Sequence, residues 1–133
     1  MSGRAHTDAI EAVLEAAGLR VYVGGAPDDP TFPYVAVYVD GGRALQTSLR
    51  MSADQYDVSW QTTSVGVTHE QAMWAADRVR DALAGRVVEV SGYVNSPTEQ
   101  LMSSPVAVDY DAPTDVRYKF DQWRYRAVPL PGD

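Results

Sequence analysis

The chain has 133 residues, of which 45% are hydrophobic, and a formal net charge of −7. This is enough for one packed domain, predicted over residues 1–133. The absence of cysteine excludes disulfides and thiolate metal sites and fits folding in a reducing cytoplasm. The negative charge argues against a protein that grips phosphates. The purest apolar run, Tyr34–Val39, is far shorter than the about 20 residues that a membrane-spanning helix needs.

The first half of the chain predicts one helix and three strands. The helix covers residues 7–17, with a threonine as its N-cap, an apolar stripe at helical spacing, and Gly18 as its end. Strands are predicted over residues 19–23 and over Tyr34–Val39, on either side of a proline-rich turn. The third strand, residues 55–65, alternates apolar and polar side chains, which is typical of an antiparallel strand with one wet face.

The second half predicts one helix and three more strands. Thr68 and Gln71 form the sequence pattern of a capping box, so the helix is expected to begin at Thr68. Strands are predicted over residues 86–90, 106–111 and 116–128.

The aromatic residues of the last predicted strand change parity along it. Tyr118 and Phe120 share one parity, whereas Trp123 and Tyr125 share the other. A bulge near Asp121-Gln122 would reconcile them, because one extra residue shifts the phase. The element order α-β-β-β-α-β-β-β predicts an α+β fold, with two helices packed on one face of a mostly antiparallel sheet.

Two acidic motifs are the strongest candidates for chemistry. His69-Glu70 begins like a zinc-protease helix, but Met73 stands where the second histidine is needed. Asp109 and Asp111 share one parity at a strand end and could hold Mg²⁺ or Ca²⁺, or divide acid and base roles. We expect neither an enzyme nor a cofactor. A divalent-metal-dependent enzyme that uses Asp109 and Asp111 is the less favoured alternative.

Aromatic side chains on the predicted strands could also stack nucleic-acid bases. The early strands lack the lysines and arginines that would hold phosphates, so packing in the core or at a subunit interface is the favoured interpretation. The aromatic residues in question are Tyr22, Tyr34, Tyr38, Tyr56, Tyr118, Trp123 and Tyr125.

Three stretches of the chain carry a family resemblance: residues 21–38, residues 58–83 and residues 118–129. The most telling part is a strand followed by Ser-Val-Gly-Val-Thr and then a helix that contains Asp-Arg-Val-Arg. Together these stretches resemble the tail terminator proteins of long-tailed, siphovirus-type bacteriophages of actinobacteria.

The resemblance implies a structural virion protein, assembled in the host cytoplasm and located at the head-proximal end of the tail. Such a protein forms a homohexameric ring on the major tail tube protein, ends tube growth and joins the head–tail connector proteins. It implies no catalytic residue, no tight nucleic-acid binding and no membrane partner. Another head–tail joining subunit or a tube subunit is the alternative.

The segment of residues 41–53 is the candidate interface with another subunit or the tube. It contains Arg43 and Arg50 and no acid, although the chain is acid-rich. Leu45, Leu49 and Met51 add apolar contact area. In one interpretation the segment lengthens the two flanking strands. In the other it is an arm that docks on a neighbouring subunit or on the tube end.

Overall fold

The computed structural model describes residues 3–39, 43–45, 55–111 and 115–131, with backbone alone for residues 43–45. These residues form two helices and eight strands. In chain order they are α1 (Gly3–Ala16), β1 (Val21–Val23), β2 (Tyr34–Val39), β3 (Arg43–Leu45), β4 (Gln55–Gly66), α2 (His69–Leu83), β5 (Tyr93–Asn95), β6 (Glu99–Ser103), β7 (Ala107–Asp109) and β8 (Val116–Pro129). The predicted α+β class is confirmed. None of the described helices is long and apolar enough to cross a membrane.

One sheet contains all eight described strands, and β8 is its central element. The order is β1-β2-β4-β8-β5; β3 also pairs with β4, and β6 and β7 also pair with β8. The β1–β2 pair is parallel, and the other described pairs are antiparallel. β8 therefore pairs along one edge with β4 and along the other with three short strands.

The sheet has an inner face, which both helices cover. Residues directly opposite each other in an antiparallel pair point to the same face, so Val58 and Trp60 of β4 lie beside Tyr125 and Trp123 of β8. These side chains are buried with the apolar stripes of both helices, which include Ile10, Leu14, Val79 and Leu83. The prediction of two helices on one face is therefore confirmed.

Helix α1 begins at Gly3, one turn earlier than predicted. Its stripe starts with His6, which is buried in line with Ile10 and Leu14, so tertiary packing extends the helix beyond its expected cap. Thr7 is not the N-cap: its hydroxyl donates a hydrogen bond to the carbonyl of Gly3 at 2.8 Å.

Helix α2 begins as its sequence predicts. Thr68 is the N-cap, and its hydroxyl accepts the N–H of Gln71 at 3.1 Å. The Gln71 side chain reaches back to accept the N–H of Val67 at 2.9 Å. Gly66 lies so close beneath this turn that a Cβ there would stand 2.9 Å from the nitrogen of Ala72. The capping box thus fixes the junction between β4 and α2.

The predicted strand over residues 86–90 is wrong. Its alternation of burial is real, since Val88 and Val90 are buried and Val87 and Glu89 are exposed. However, this segment does not join a ladder. The carbonyl of Val88 is instead bound by the Asn95 side chain at 2.6 Å. The segment packs on the core as extended chain, and the strand forms later, at β5.

The predicted bulge at Asp121-Gln122 is also wrong. The β4–β8 register runs without a shift from Tyr56 opposite Ala127 to Gly66 opposite Arg117. The aromatic residues of β8 change parity because they occupy both faces of the sheet. A register shift occurs instead on β6, between Gln100 and Met102, where Leu101 is the extra residue.

Candidate functional site

The five residues predicted to form an interface divide between a described strand and the undescribed segment. Arg43 and Leu45 lie in β3, which pairs with the first residues of β4. Leu49, Arg50 and Met51 lie outside the described residues. β3 thus extends the sheet beside the start of β4. This agrees, for residues 43–45, with the interpretation in which the segment lengthens its flanking strands. The docking role of all five residues stays a prediction.

The register of β3 places Arg43 opposite an acid of its own sheet. Its partner position on β4 is Asp57, which in turn faces Arg126 of β8. Arg124 lies nearby, with its Nε 3.8 Å from an oxygen of Asp57, and it donates a hydrogen bond to Glu99 at 2.7 Å. Replacing Arg43 by an acid would place two acids opposite each other in the β3–β4 pair and would weaken the sheet. Such a variant would therefore not test docking alone.

The ion pair between Arg124 and Glu99 joins β8 to β6 on the outer face of the sheet. The hydrogen bond from Arg124 lowers the pKa of Glu99, and the same bond raises the pKa of the Arg124 guanidinium. Both groups are therefore held in their charged forms.

The pair considered as a less favoured metal site, Asp109 and Asp111, forms a turn. An oxygen of Asp109 accepts the backbone N–H of Asp111 at 3.0 Å, and the side chain of Asp111 is exposed. Across the described parts of the chain, no cluster of three or more histidine or acidic side chains could hold a metal ion. The geometry therefore explains the pair through the turn that follows β7.

His69 and Glu70 lie in the first turn of α2, and both are exposed. Met73, one turn further along the helix, is half-buried. The carboxylate of Glu70 is stabilised in this position, because the N-terminal end of a helix is the positive end of its dipole. The motif therefore has a structural explanation as a helix start.

The aromatic residues of the strands serve several different environments. Trp123 and Tyr125 are fully buried in the core, which confirms the packing interpretation for these two. At the β1 edge, the Tyr22 and Tyr34 rings pack edge to face with centroids 5.3 Å apart. Because they pack on each other, these rings do not form an open stacking platform.

A buried polar network that the sequence did not suggest surrounds Asp121. This residue is 2% exposed and lies 3.3 Å from Nζ of Lys119, the one lysine in the sequence. Gln100 of β6 donates a further hydrogen bond to Asp121 at 3.0 Å. Lys119 also donates to the hydroxyl of Ser103 and, at 2.6 Å, to the carbonyl of Ser104. The network fastens β6 to β8.

The contact between Ser103 and Lys119 resembles a serine–lysine catalytic pair, and its geometry argues against that chemistry. A lysine that acts as general base needs a free lone pair to accept the serine proton. Here Nζ donates to a hydroxyl, a carbonyl and a carboxylate, which uses the three donors of an ammonium group. The pair is therefore structural.

The outer face of the sheet carries an exposed patch at its centre. Tyr38, Gln61 and Gln122 lie side by side on β2, β4 and β8. With Leu101 they line a shallow cavity of about 260 Å³. Tyr38 and Leu101 are 46% and 47% exposed, and Met102 beside them is similarly open. Exposed aromatic, leucine and methionine side chains in one patch are typical of a protein-binding surface.

A second open feature, the helix groove, lies between α1 and α2 and has a volume of about 870 Å³. Small side chains of α1 form one wall, and α2 with the extended segment that follows it forms the other. The lining residues are Ala9, Ala12, Val13, Ala16, Ala17, Arg78, Asp81, Ala82, Arg86, Val87 and Glu89.

Trp74 forms an exposed apolar site next to the groove, on α2. It is 43% exposed, and the guanidinium of Arg78 lies over its ring, 4.6 Å from the centroid. Pro33 lines the same surface. Tryptophan and arginine are the residue types that dominate the binding energy of protein interfaces, so this side of the domain is a second candidate contact surface.

Comparison with known proteins shows what this fold is similar to. Neither a family model nor a curated protein sequence matches the chain. A chain from the virion of a native gene transfer agent particle has a TM-score of 0.58 and 21% identity, over 88% of this chain and 85% of that one. A second solved structure, of a protein whose name states no function, has a TM-score of 0.57 and 18% identity over 95% of this chain and 98% of that one. At such identities the likeness shows a shared fold.

Proposed function

We propose that this chain is a structural virion protein of a phage-like particle, and more narrowly a tail terminator. The observation that carries the proposal is the fold, which over 88% of the chain is similar to a chain of a gene transfer agent virion. The sequence resemblance to tail terminators of siphovirus-type phages supports the narrower role. In this role the protein forms a homohexameric ring on the head-proximal end of the tail tube.

The distribution of exposed apolar side chains supports assembly into a ring. One patch, around Tyr38 and Leu101, lies on the outer face of the sheet, and two further exposed residues, Trp74 and Val87, lie on the helix side. Two different surfaces on opposite sides of a domain suit head-to-tail contacts between copies. Such contacts give a closed ring when the rotation between neighbours closes.

The proposed ring has two tasks, and neither requires catalysis. It covers the end of the major tail tube protein, so that no further tube subunit can add. It also presents its opposite side to the head–tail connector proteins. The protein is assembled in the host cytoplasm and remains in the virion.

The test of ring formation is a concentration series followed by sedimentation velocity and negative-stain electron microscopy. We expect a monomer at low concentration and a closed oligomer of six subunits at high concentration. Free rings are expected to be weak, because the tube end normally templates them. Open-ended fibres or long cylinders at every concentration would instead indicate a tube subunit and would overturn the terminator role.

A further inference from the structure

We propose that the helix groove receives residues 46–53 of a neighbouring copy of this chain. The inference rests on the proposed ring and assigns to it one pair of contact surfaces. It also gives the predicted docking segment a defined site on its partner.

The groove is open, and part of its lining is apolar. Ala12 and Ala16 of α1 are exposed along it, and Val87 on the other wall is 47% exposed. A groove of about 870 Å³ is large enough for several side chains of an incoming segment. Covering these methyl groups would remove apolar surface from water, which favours an occupant with large apolar side chains.

Two arginines and two acids line the groove, and among the described residues only the arginine side chains have partners. Arg78 already donates to the carbonyl of Ala17 at 3.0 Å, and Arg86 donates to the carbonyl of Ala82 at 2.8 Å. Both arginines are therefore engaged at the carboxyl ends of helices. The side chains of Asp81 and Glu89 have no ion pair or hydrogen bond within the described part of the chain. The groove thus offers two carboxylates without a partner in the described part of the chain, near the exposed methyl groups of Ala12 and Ala16.

Residues 46–53 have the complementary composition. They contain Leu49, Arg50 and Met51 in succession and no acid. The planar fork of an arginine suits carboxylate partners, while leucine and methionine supply apolar area. The segment connects Leu45 to Gln55, which are paired positions on β3 and β4, so it starts and ends at one place on the sheet. A ring needs a donor surface and a different acceptor surface on each copy, and this pair provides both.

Cysteine cross-linking tests the contact directly, because the chain has no cysteine of its own. Met51→Cys and Ala12→Cys are made in separate chains, mixed at a ring-forming concentration and mildly oxidised. We expect their mixed disulfide to form at least about tenfold faster than the disulfide between Met51→Cys and Tyr110→Cys, because a docked pair has a high effective concentration. Tyr110 is the matched control, since it is 90% exposed and lies outside the groove. Equal rates for the two pairs would overturn the proposal.

A chain that carries both Met51→Cys and Ala12→Cys separates the neighbour from the chain itself. Contact between copies gives a ladder of linked subunits. A disulfide that forms within one chain would show that the segment fills its own groove and would also overturn the proposal.

Charge reversal provides an independent readout. Arg50→Glu alone and Asp81→Arg alone should each raise the concentration for half-assembly by about tenfold, since like charges then face each other. Mixing the two variants should restore assembly, because the reversed segment meets the reversed groove. Asp28→Arg, in an exposed loop, is the control and should assemble as the unaltered chain does. No loss in the single variants, or no rescue in the mixture, would contradict the proposed contact.

These outcomes keep the two proposals apart. Rings that form without the Met51–Ala12 cross-link would overturn the groove contact and leave the ring intact. A chain that forms no closed ring at any concentration would overturn the proposed function, and the groove contact with it.

Discussion

Nδ1 of His6 and the hydroxyl of Tyr125 lie 2.5 Å apart, although 119 positions separate them in the chain. The contact joins the first turns of α1 to β8, and both side chains are buried. The His6 ring also packs edge to face on Tyr93, with centroids 4.7 Å apart. Burial lowers the pKa of His6, helped by the positive N-terminus, and burial raises the pKa of Tyr125. The fold therefore favours a neutral imidazole.

Lowering the pH should destabilise the domain through His6. Its pKa is below the usual value of 6.5 in the folded state, so the unfolded chain binds the proton first as the pH falls. The stabilisation is fully present above the unfolded pKa and declines as the pH drops below it. The measurement is the melting temperature between about pH 7.5 and about pH 5.5, a window that brackets the usual histidine pKa.

The second histidine supplies a matched control for this titration. His69 is exposed at the start of α2, so His69→Gln should keep the full pH dependence. His6→Gln should flatten it. Equal slopes in the two variants would show that His6 does not cause the effect.

Removing Asp121 should cost about 3 kcal/mol of unfolding free energy, because it leaves the nearly buried ammonium of Lys119 without its carboxylate. Urea denaturation of Asp121→Ala gives this value. The double variant Lys119→Met with Asp121→Leu should recover much of the loss, since no buried charge then stays unpaired. Asp77→Ala is the control, because its ion pair with Arg80 is about half exposed and should contribute less than about 1 kcal/mol. Equal losses in Asp121→Ala and Asp77→Ala would contradict this assignment.

Gly66→Ala should lower the unfolding free energy by about 2 kcal/mol. The new Cβ would press on the backbone of Ala72 and on Cβ of Gln71, so β4 and α2 must separate. Val67→Ala at the next, exposed position should stay within about 0.5 kcal/mol of the unaltered chain. Chemical denaturation of both variants measures this difference in unfolding free energy. An equally mild effect of Gly66→Ala would show that β4 and α2 can move apart without a large loss of stability.

The parts of the fold that could be predicted from sequence are those fixed by neighbours along the chain. The capping residue Thr68 and its partner Gln71 are three positions apart, and β2 is a run of valine and tyrosine residues with one alanine. Both lie where the sequence places them. For α1, the cap at Thr7 competed with the tertiary burial of His6, and burial prevailed.

The parts that could not be predicted depend on contacts between distant positions. Val88 and Val90 alternate with exposed residues as a strand would, and the sequence does not reveal that their backbone lacks a ladder partner. The network of Asp121, Lys119 and Gln100 could not be predicted for the same reason. Gln100 on β6 and Asp121 on β8 are about 20 positions apart in the chain, and the bulge in β6 decides which residues of the two strands face each other. The groove beside Asp81 requires two helices to be placed side by side, and no local pattern encodes that.

The protein should not bind double-stranded DNA tightly, although DNA would pass through the proposed ring. Six subunits at −7 each carry −42, and affinity for phosphates requires cationic contacts. An electrophoretic mobility assay at about 150 mM salt, near the physiological level, should show no shift at sub-micromolar protein. A shift at that concentration would contradict this prediction.

The most direct test of the terminator role is the growth of tail tubes in the presence of this protein. Tube protein of the same virion is polymerised with gold-labelled copies of the chain, and the tubes are imaged by electron microscopy. We expect the label at one end of each tube and no growth beyond it when more tube protein is added. Label along the length of the tubes, or growth past a labelled end, would contradict the role proposed for this chain.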